Sequence, residues 1–261
     1  MRRAQVGRRR GETRESDIVL SHLVFGKEEK PKGYRAIMNN PQVKIWLQLV
    51  ICMGLIGLVL FLCAGAIKYW QGWVYLAVVG VASVLLTLSM MKDPVLLQGR
   101  ATGGPSAEQR SIQRVIVLSM GVPLIAAFIL PGLDHRFGWS SVPSWLSIGG
   151  DILIAVSLWL VYLVFKENSF GATTVEITRD QKVVSTGPYA VVRNPMYSCG
   201  ALFFVATAFA LGSYWDLIPA VFTVLALVWR LSDEEHFLAQ QLSGYKEYCA
   251  KVRWHLIPGI F

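Results

Sequence analysis

Charge is what this sequence has least of. Only 16% of its residues are Asp, Glu, Lys or Arg, while 54% are hydrophobic, and mean hydropathy is +0.46. A soluble domain needs more charged surface than that, so the composition places the chain in the membrane class. Histidine is scarce too. The four (His22, His135, His236, His255) are scattered and match no ligand or catalytic pattern. Cysteine is limited to Cys52, Cys63, Cys199 and Cys249, two of them inside one apolar run. That spacing predicts neither a disulfide framework nor a zinc site, and no metal is expected. The polar start "MRRAQVGRRRGETRES" lacks the continuous apolar core of a signal peptide.

What the chain does have is long apolar runs. A helix needs about 20 apolar residues to cross the hydrocarbon core. Six stretches approach that length, at 46–67, 71–91, 113–133, 145–165, 197–212 and 214–230. The fold expected is therefore all-α, a polytopic membrane helix bundle with about six hydrophobic segments. The last two are short and joined by "GSYWD", so they read as a helical hairpin that tilts or stops short of the far surface. Three regions follow: a disordered basic tail over 1–44, four transmembrane helices over 45–165, and a C-terminal catalytic region over 166–261.

Lysine and arginine give the orientation. Residues 1–44 carry 11 of the 25 basic residues. The connections that follow alternate poor and rich: Lys68; then Lys92, Arg100, Arg110 and Arg114; then Arg136; then Lys166, Arg179, Lys182 and Arg193; then none; then Arg230, Lys246, Lys251 and Arg253. This is the positive-inside alternation, and it puts both termini in the cytoplasm. Most of the net charge of +8 belongs to the N-terminal tail, a determinant of topology that touches anionic lipid at most and does not indicate nucleic acid.

Polar groups gather in two places. The connection 166–196 opens with "TTVEI", "TRDQ" and "KVVSTG", which alternate like a small surface hairpin. It closes with "GPYAVVRNPMYSCG" (187–200). There Gly187-Pro188 is turn chemistry, and Asn194-Pro195 reads as an N-cap followed by proline at the first helical position. The turn and cap do not account for Tyr189, Arg193 and Tyr197. The second place is the sixth segment, which has no breaker after Pro219 and is expected to stay helical to about Leu242, carrying Glu234 and Glu235 past the membrane. Adjacent helical residues point about 100° apart, so the two carboxylates cannot face one ligand equally. Beyond them Leu238, Leu242, Tyr245 and Cys249 recur at amphipathic spacing, with a kink or restart at Ser243-Gly244.

The ordered combination, over about residues 165–261, resembles the isoprenylcysteine carboxyl methyltransferase family and the related membrane phospholipid methyltransferases. That family's pattern is a Gly-Pro-Tyr turn, Arg-His-Pro-x-Tyr with a following glycine, a Glu-Glu pair, and Tyr-x-x-Tyr before a C-terminal proline. Carried over, these are Gly187, Pro188, Tyr189, Arg193, Pro195, Tyr197, Gly200, Glu234, Glu235, Tyr245, Tyr248 and Pro258. The resemblance implies S-adenosylmethionine as cofactor, in a cytoplasmic pocket of the C-terminal helices, with a lipophilic acceptor entering from the bilayer. Arg193 is then expected to bind the cofactor carboxylate by a bidentate fork, helped by free N–H groups at the helix start. Glu234 or Glu235 accepts from the ammonium or ribose hydroxyls, and Tyr189 or Tyr197 supplies an aromatic wall. Arg193, Asn194 and Glu234 are the residues expected at the chemistry.

One position departs from the pattern: Asn194 stands where the family has histidine. Asparagine cannot shuttle a proton near neutral pH. Methyl transfer from a sulfonium needs mainly alignment and exclusion of water, so the change favours an acceptor carrying its own negative charge. A carboxylate of the isoprenylcysteine type is the leading acceptor, with a phospholipid amine or a small thiol as alternatives. A nicotinamide-dependent sterol-reductase-like enzyme and a non-enzymatic transporter or scaffold remain as other classes, the latter resting on Asp151 near the start of the fourth segment. On this reading His255→Ala is nearly silent.

Overall fold

The computed structural model describes residues 40–93, 96, 111–168 and 183–260. A compact unit runs from Lys44 to Phe261. Among the described residues all regular structure is helical: α1 Pro41–Ala64, α2 Trp70–Met90, α3 Ser111–Phe137, α4 Ser144–Glu167, a single 3-10 turn Gly187–Ala190, α5 Pro195–Ala210, α6 Leu217–Gln241 and α7 Tyr245–Lys251. The expected basic tail and surface hairpin fall largely on residues outside the described ones.

The helices α1 to α4 are each long and apolar enough to cross a bilayer. Their large apolar side chains face outward: Leu62, Val81, Val122 and Trp145 are exposed, as are Phe222 and Leu225 on α6. In water such a belt would be an aggregation surface, whereas against lipid it is solvated. The polar groups that do lie inside are mostly matched, as hydrocarbon requires.

The hairpin of α5 and α6 is the exception in length. With 16 residues α5 rises only about 24 Å, short of a hydrocarbon core about 30 Å thick. Its turn, 211–216, is held by side chains of neighbouring segments. The Tyr69 hydroxyl donates to the Leu211 carbonyl. At the end of α3 the Asp134 carboxylate accepts from the Ser213 hydroxyl at 2.5 Å and from the Ser140 N–H at 2.7 Å. Asp151 is buried on α4, and neither of its carboxylate oxygens has a hydrogen-bond partner.

Close backbone approach fixes α5 against α4. A Cβ at Gly150 would lie 2.5 Å from the Ala210 nitrogen and 2.9 Å from the Ala206 oxygen. Small residues let two membrane helices touch along their main chains. Around this contact Leu60, Ala64, Tyr75, Ile154, Ala206 and Leu211 form the main core. Beyond the bundle α6 runs on to Gln241. Gly244, at φ +83°, then reverses the chain, so that Tyr245, Tyr248 and Val252 pack back on Leu238 and Leu242.

Gly150→Val should therefore overpack the α4–α5 contact and cost about 1–3 kcal/mol. Thermal unfolding in detergent checks this, with Gly121→Ala as the control, since nothing lies within 4 Å of a Cβ there. The control melts at or above the parent temperature.

Candidate functional site

Three separate segments meet at the end of the bundle where α6 leaves the apolar region. The first is the 3-10 turn and the approach to α5 (187–198). The second is the Asp233–Glu235 stretch of α6. The third is the C-terminal tail, which is joined to the first in sheet-like fashion: the Arg193 N–H donates to the Trp254 carbonyl at 2.8 Å and the Asn194 N–H to the His255 carbonyl at 3.1 Å. The Ser198 hydroxyl adds a bond to the Leu256 carbonyl at 2.6 Å.

This pairing bears on the N–H groups around the start of α5. The N–H groups of Arg193 and Asn194 serve the tail, and those of Tyr197 and Ser198 go to the Asn194 carbonyl. Asn194 does occupy the N-cap position with Pro195 behind it, but its side chain caps nothing. Its amide donates to Glu235 Oε1 at 2.5 Å instead.

Glu235 is the centre of the arrangement. Its carboxylate faces the Asn194 amide, Arg193 Nη1 at 3.4 Å and His255 Nδ1 at 2.9 Å, and its side chain is only 11% exposed. Buried carboxylates persist when several donors meet them. Arg193 is equally enclosed: Nη2 donates to the Arg253 carbonyl at 3.2 Å and lies 2.5 Å from His255 Nε2, while its buried Nε has no partner. That orphaned donor suits an oxygen acceptor such as a carboxylate.

Glu234 turns to the other side, as the 100° offset requires. It accepts from the Tyr197 hydroxyl at 2.5 Å, and the same hydroxyl accepts from Arg230 Nε at 3.1 Å. Tyr189 is held at both ends, its carbonyl accepting from the Tyr248 hydroxyl at 2.7 Å and its own hydroxyl accepting from Asn168 at 3.0 Å. Burial pushes the Tyr189 phenol above the ordinary tyrosine value, against the Asn168 bond and with the help of the Glu234 charge. Burial does the same to Tyr245 and Tyr248, so both phenols stay protonated.

Of the remaining expected positions, Gly187 takes φ +57° beside the Glu167 carboxylate, and Pro188 starts the 3-10 turn. Gly200 makes room for Leu227, which a Cβ would meet at 3.3 Å. Tyr197, Gly200 and Arg230 line a cavity of about 680 Å³ whose other walls include Leu86, Leu124, Phe203 and Leu227. Leu86 and Leu158 are shared with a second, outer groove of about 800 Å³ between α2 and α4. The polar cluster thus adjoins an apolar space that leads toward lipid. His255 and Arg230 are among the residues of this site that sequence reasoning passed over. No spacing rule joins His255 to a segment 62 positions away.

Residues 145–244 match the family model described as phospholipid methyltransferase. The matched stretch runs from the start of α4 through Glu235 to the Gly244 turn, less than half of the chain, and supports a membrane methyltransferase acting on a lipid-related substrate. No curated protein matches the chain.

Asn194→Asp tests the hub. It sets a second carboxylate against Glu235 and removes a donor, at a cost of about 1–3 kcal/mol. The loss should be full at neutral pH and shrink as pH falls and the pair takes up one shared proton. Thermal unfolding across pH reads this directly.

Proposed function

We propose that the chain is an integral membrane S-adenosylmethionine-dependent methyltransferase acting on a lipophilic acceptor, with both termini in the cytoplasm. One observation carries this reading: the enclosed cluster of Arg193, Glu234, Glu235 and Tyr197 opens, through Tyr197 and Arg230, onto an apolar cavity of about 680 Å³. A polar, zwitterionic cofactor and an apolar acceptor need two such environments side by side.

The residues fit the cofactor. When bound, it supplies a methyl group already activated by the sulfonium. Arg193, with its partnerless Nε, holds the cofactor's carboxylate. Glu234 or Glu235 accepts from the ammonium or ribose hydroxyls, and Tyr189 or Tyr197 forms an aromatic wall. Asn194 has a positioning role through Glu235. The surrounding apolar walls exclude water, which strengthens each of these contacts.

For the acceptor, a carboxylate of the isoprenylcysteine type is the leading proposal. It brings its own negative charge and needs no base, Arg230 at the cavity wall complements that charge, and one apolar chain fits the cavity. A phospholipid amine is the second reading. The description of the matching family model favours it, and Arg230 complements a phosphate as well.

Methyl-label transfer by the purified protein in lipid vesicles tests both. Base-labile label on a prenylcysteine analogue is the result expected. Base-stable label on phosphatidylethanolamine selects the second reading, and no transfer to either acceptor by folded protein contradicts both. Arg193→Ala and Glu234→Ala should each weaken cofactor binding by about 1.5–3 kcal/mol, roughly tenfold to a hundredfold, with the bundle still folded. Unchanged affinity in both variants would remove the pocket.

A further inference from the structure

Exposed apolar side chains mark the lipid-facing level of the bundle, and along α6 they stop abruptly. Phe222, Leu225 and Trp229 are exposed, yet from Arg230 to Arg253 no large hydrophobic side chain is. The outer face of α7 carries Lys246, Glu247 and Lys251 instead. Exposure then returns within one short segment: Trp254, Ile257 at 49% and Ile260 at 77%, with Pro258 and Gly259 exposed between them. Single apolar residues scattered over a surface need no explanation. A cluster after so long a stretch without any does.

The register of the tail says where this segment lies. Arg193 and Asn194 give their N–H groups to the carbonyls of Trp254 and His255, and further along Ser198 meets the carbonyl of Leu256. The two partners advance together, so the tail runs beside the approach to α5 in the direction that α5 takes into the apolar layer. Residues after Leu256 are therefore level with the first turn of α5 or deeper. That turn is itself at the boundary. Tyr197 accepts from Arg230 Nε, and a Cβ at Gly200 would meet Leu227, which sets it beside the place on α6 where exposed apolar residues give out. Leu256 is buried, while the Ile260 N–H closes a turn on the Ile257 carbonyl at 3.1 Å, with Gly259 at φ +83°. Just before this segment stand two exposed basic residues, Lys251 and Arg253.

We propose that the C-terminal turn is a membrane-docking element: Ile257, Pro258 and Ile260 are seated in the edge of the hydrocarbon beside α5, with Lys251 and Arg253 on anionic headgroups above them. Trp254 stands between the two sets, at the interface where indole rings collect. Apolar burial combined with attraction to anionic lipid is how a segment lies in a bilayer surface without crossing it. The tail's carbonyls hold Arg193 and Asn194, so lipid that seats the turn also steadies the polar cluster. The proposal needs only the membrane bundle and does not depend on the cofactor reading.

Photocrosslinking of the full-length protein in vesicles of phosphatidylcholine and phosphatidylglycerol tests it. Adducts of Ile257→benzoylphenylalanine and Ile260→benzoylphenylalanine are identified by mass spectrometry. The same replacement at Phe222, exposed on α6, and at Glu247, exposed on α7, gives the two references. Lipid adducts are expected at 257, 260 and 222 and none at 247. Adducts at 222 with none at 257 or 260 overturn the proposal, as does equal lipid labelling at 247. Crosslinks from 257 or 260 to another protein chain put a protein on this turn and overturn it too. Phosphatidylglycerol should be enriched among the adducts at 257 over its share of the vesicle, and Lys251→Ala with Arg253→Ala should abolish the enrichment. No enrichment in the parent contradicts the headgroup contacts. Should one labelled variant misfold, the other position decides.

Discussion

The Glu235 carboxylate is the point on which this end of the molecule depends. It lies on a helix that has just left the apolar region, and it draws in an amide, a guanidinium and an imidazole from two other parts of the chain. A carboxylate enclosed to this degree is costly unless several donors meet it. Satisfying it therefore fixes where the approach to α5 and the C-terminal tail must lie. Once they are in place, their backbones pair with each other, Tyr248 reaches the Tyr189 carbonyl, and α7 closes over the assembly. The cluster that would hold a cofactor is also the cluster that holds three segments together.

At the other end of α5 the governing constraint is hydrocarbon instead of charge. A helix of 16 residues cannot span the apolar layer, and its turn brings main-chain polar groups into a place where water is scarce. Tyr69 at the start of α2, Asp134 on α3 and Ser140 just after it answer this. Gly150 lets α5 lie directly on α4, which shortens the distance that side chains must fill. The short hairpin is thus anchored by polar bonds at both ends, and between them the Ser157 hydroxyl on α4 donates to the Cys199 carbonyl of α5 at 2.7 Å. The cavity beside Tyr197 and Gly200 has walls mainly of leucine and phenylalanine, with Ser157 and Arg230 among its polar lining.

Much of this was legible in the sequence because its signals are local. Twenty-residue apolar runs gave four helices long enough to cross, and the absence of a breaker after Pro219 gave the extended α6. The adjacency of Glu234 and Glu235 was enough to expect that they cannot face one ligand equally, and in the structure Glu234 meets Tyr197 while Glu235 meets Asn194. What could not be read is where distant segments pair. Asn194-Pro195 marked the start of α5, but nothing local showed that the tail would pair with the N–H groups of Arg193 and Asn194 just before it. His255 looked like an isolated residue for the same reason: its meaning comes from a β-like pairing between residues about sixty positions apart, which no helical period encodes. Asp151, near the start of the fourth apolar run, is buried on α4, which no apolar count shows.

The account turns on whether the Arg193–Glu235 cluster is a site for a sulfonium cofactor. The measurement that tests it most directly is equilibrium binding of S-adenosylhomocysteine and of NADPH to one preparation of the purified, folded protein. Saturable binding of S-adenosylhomocysteine alone is the result predicted. Binding of NADPH alone would contradict the account and make the cluster the site of a reductase.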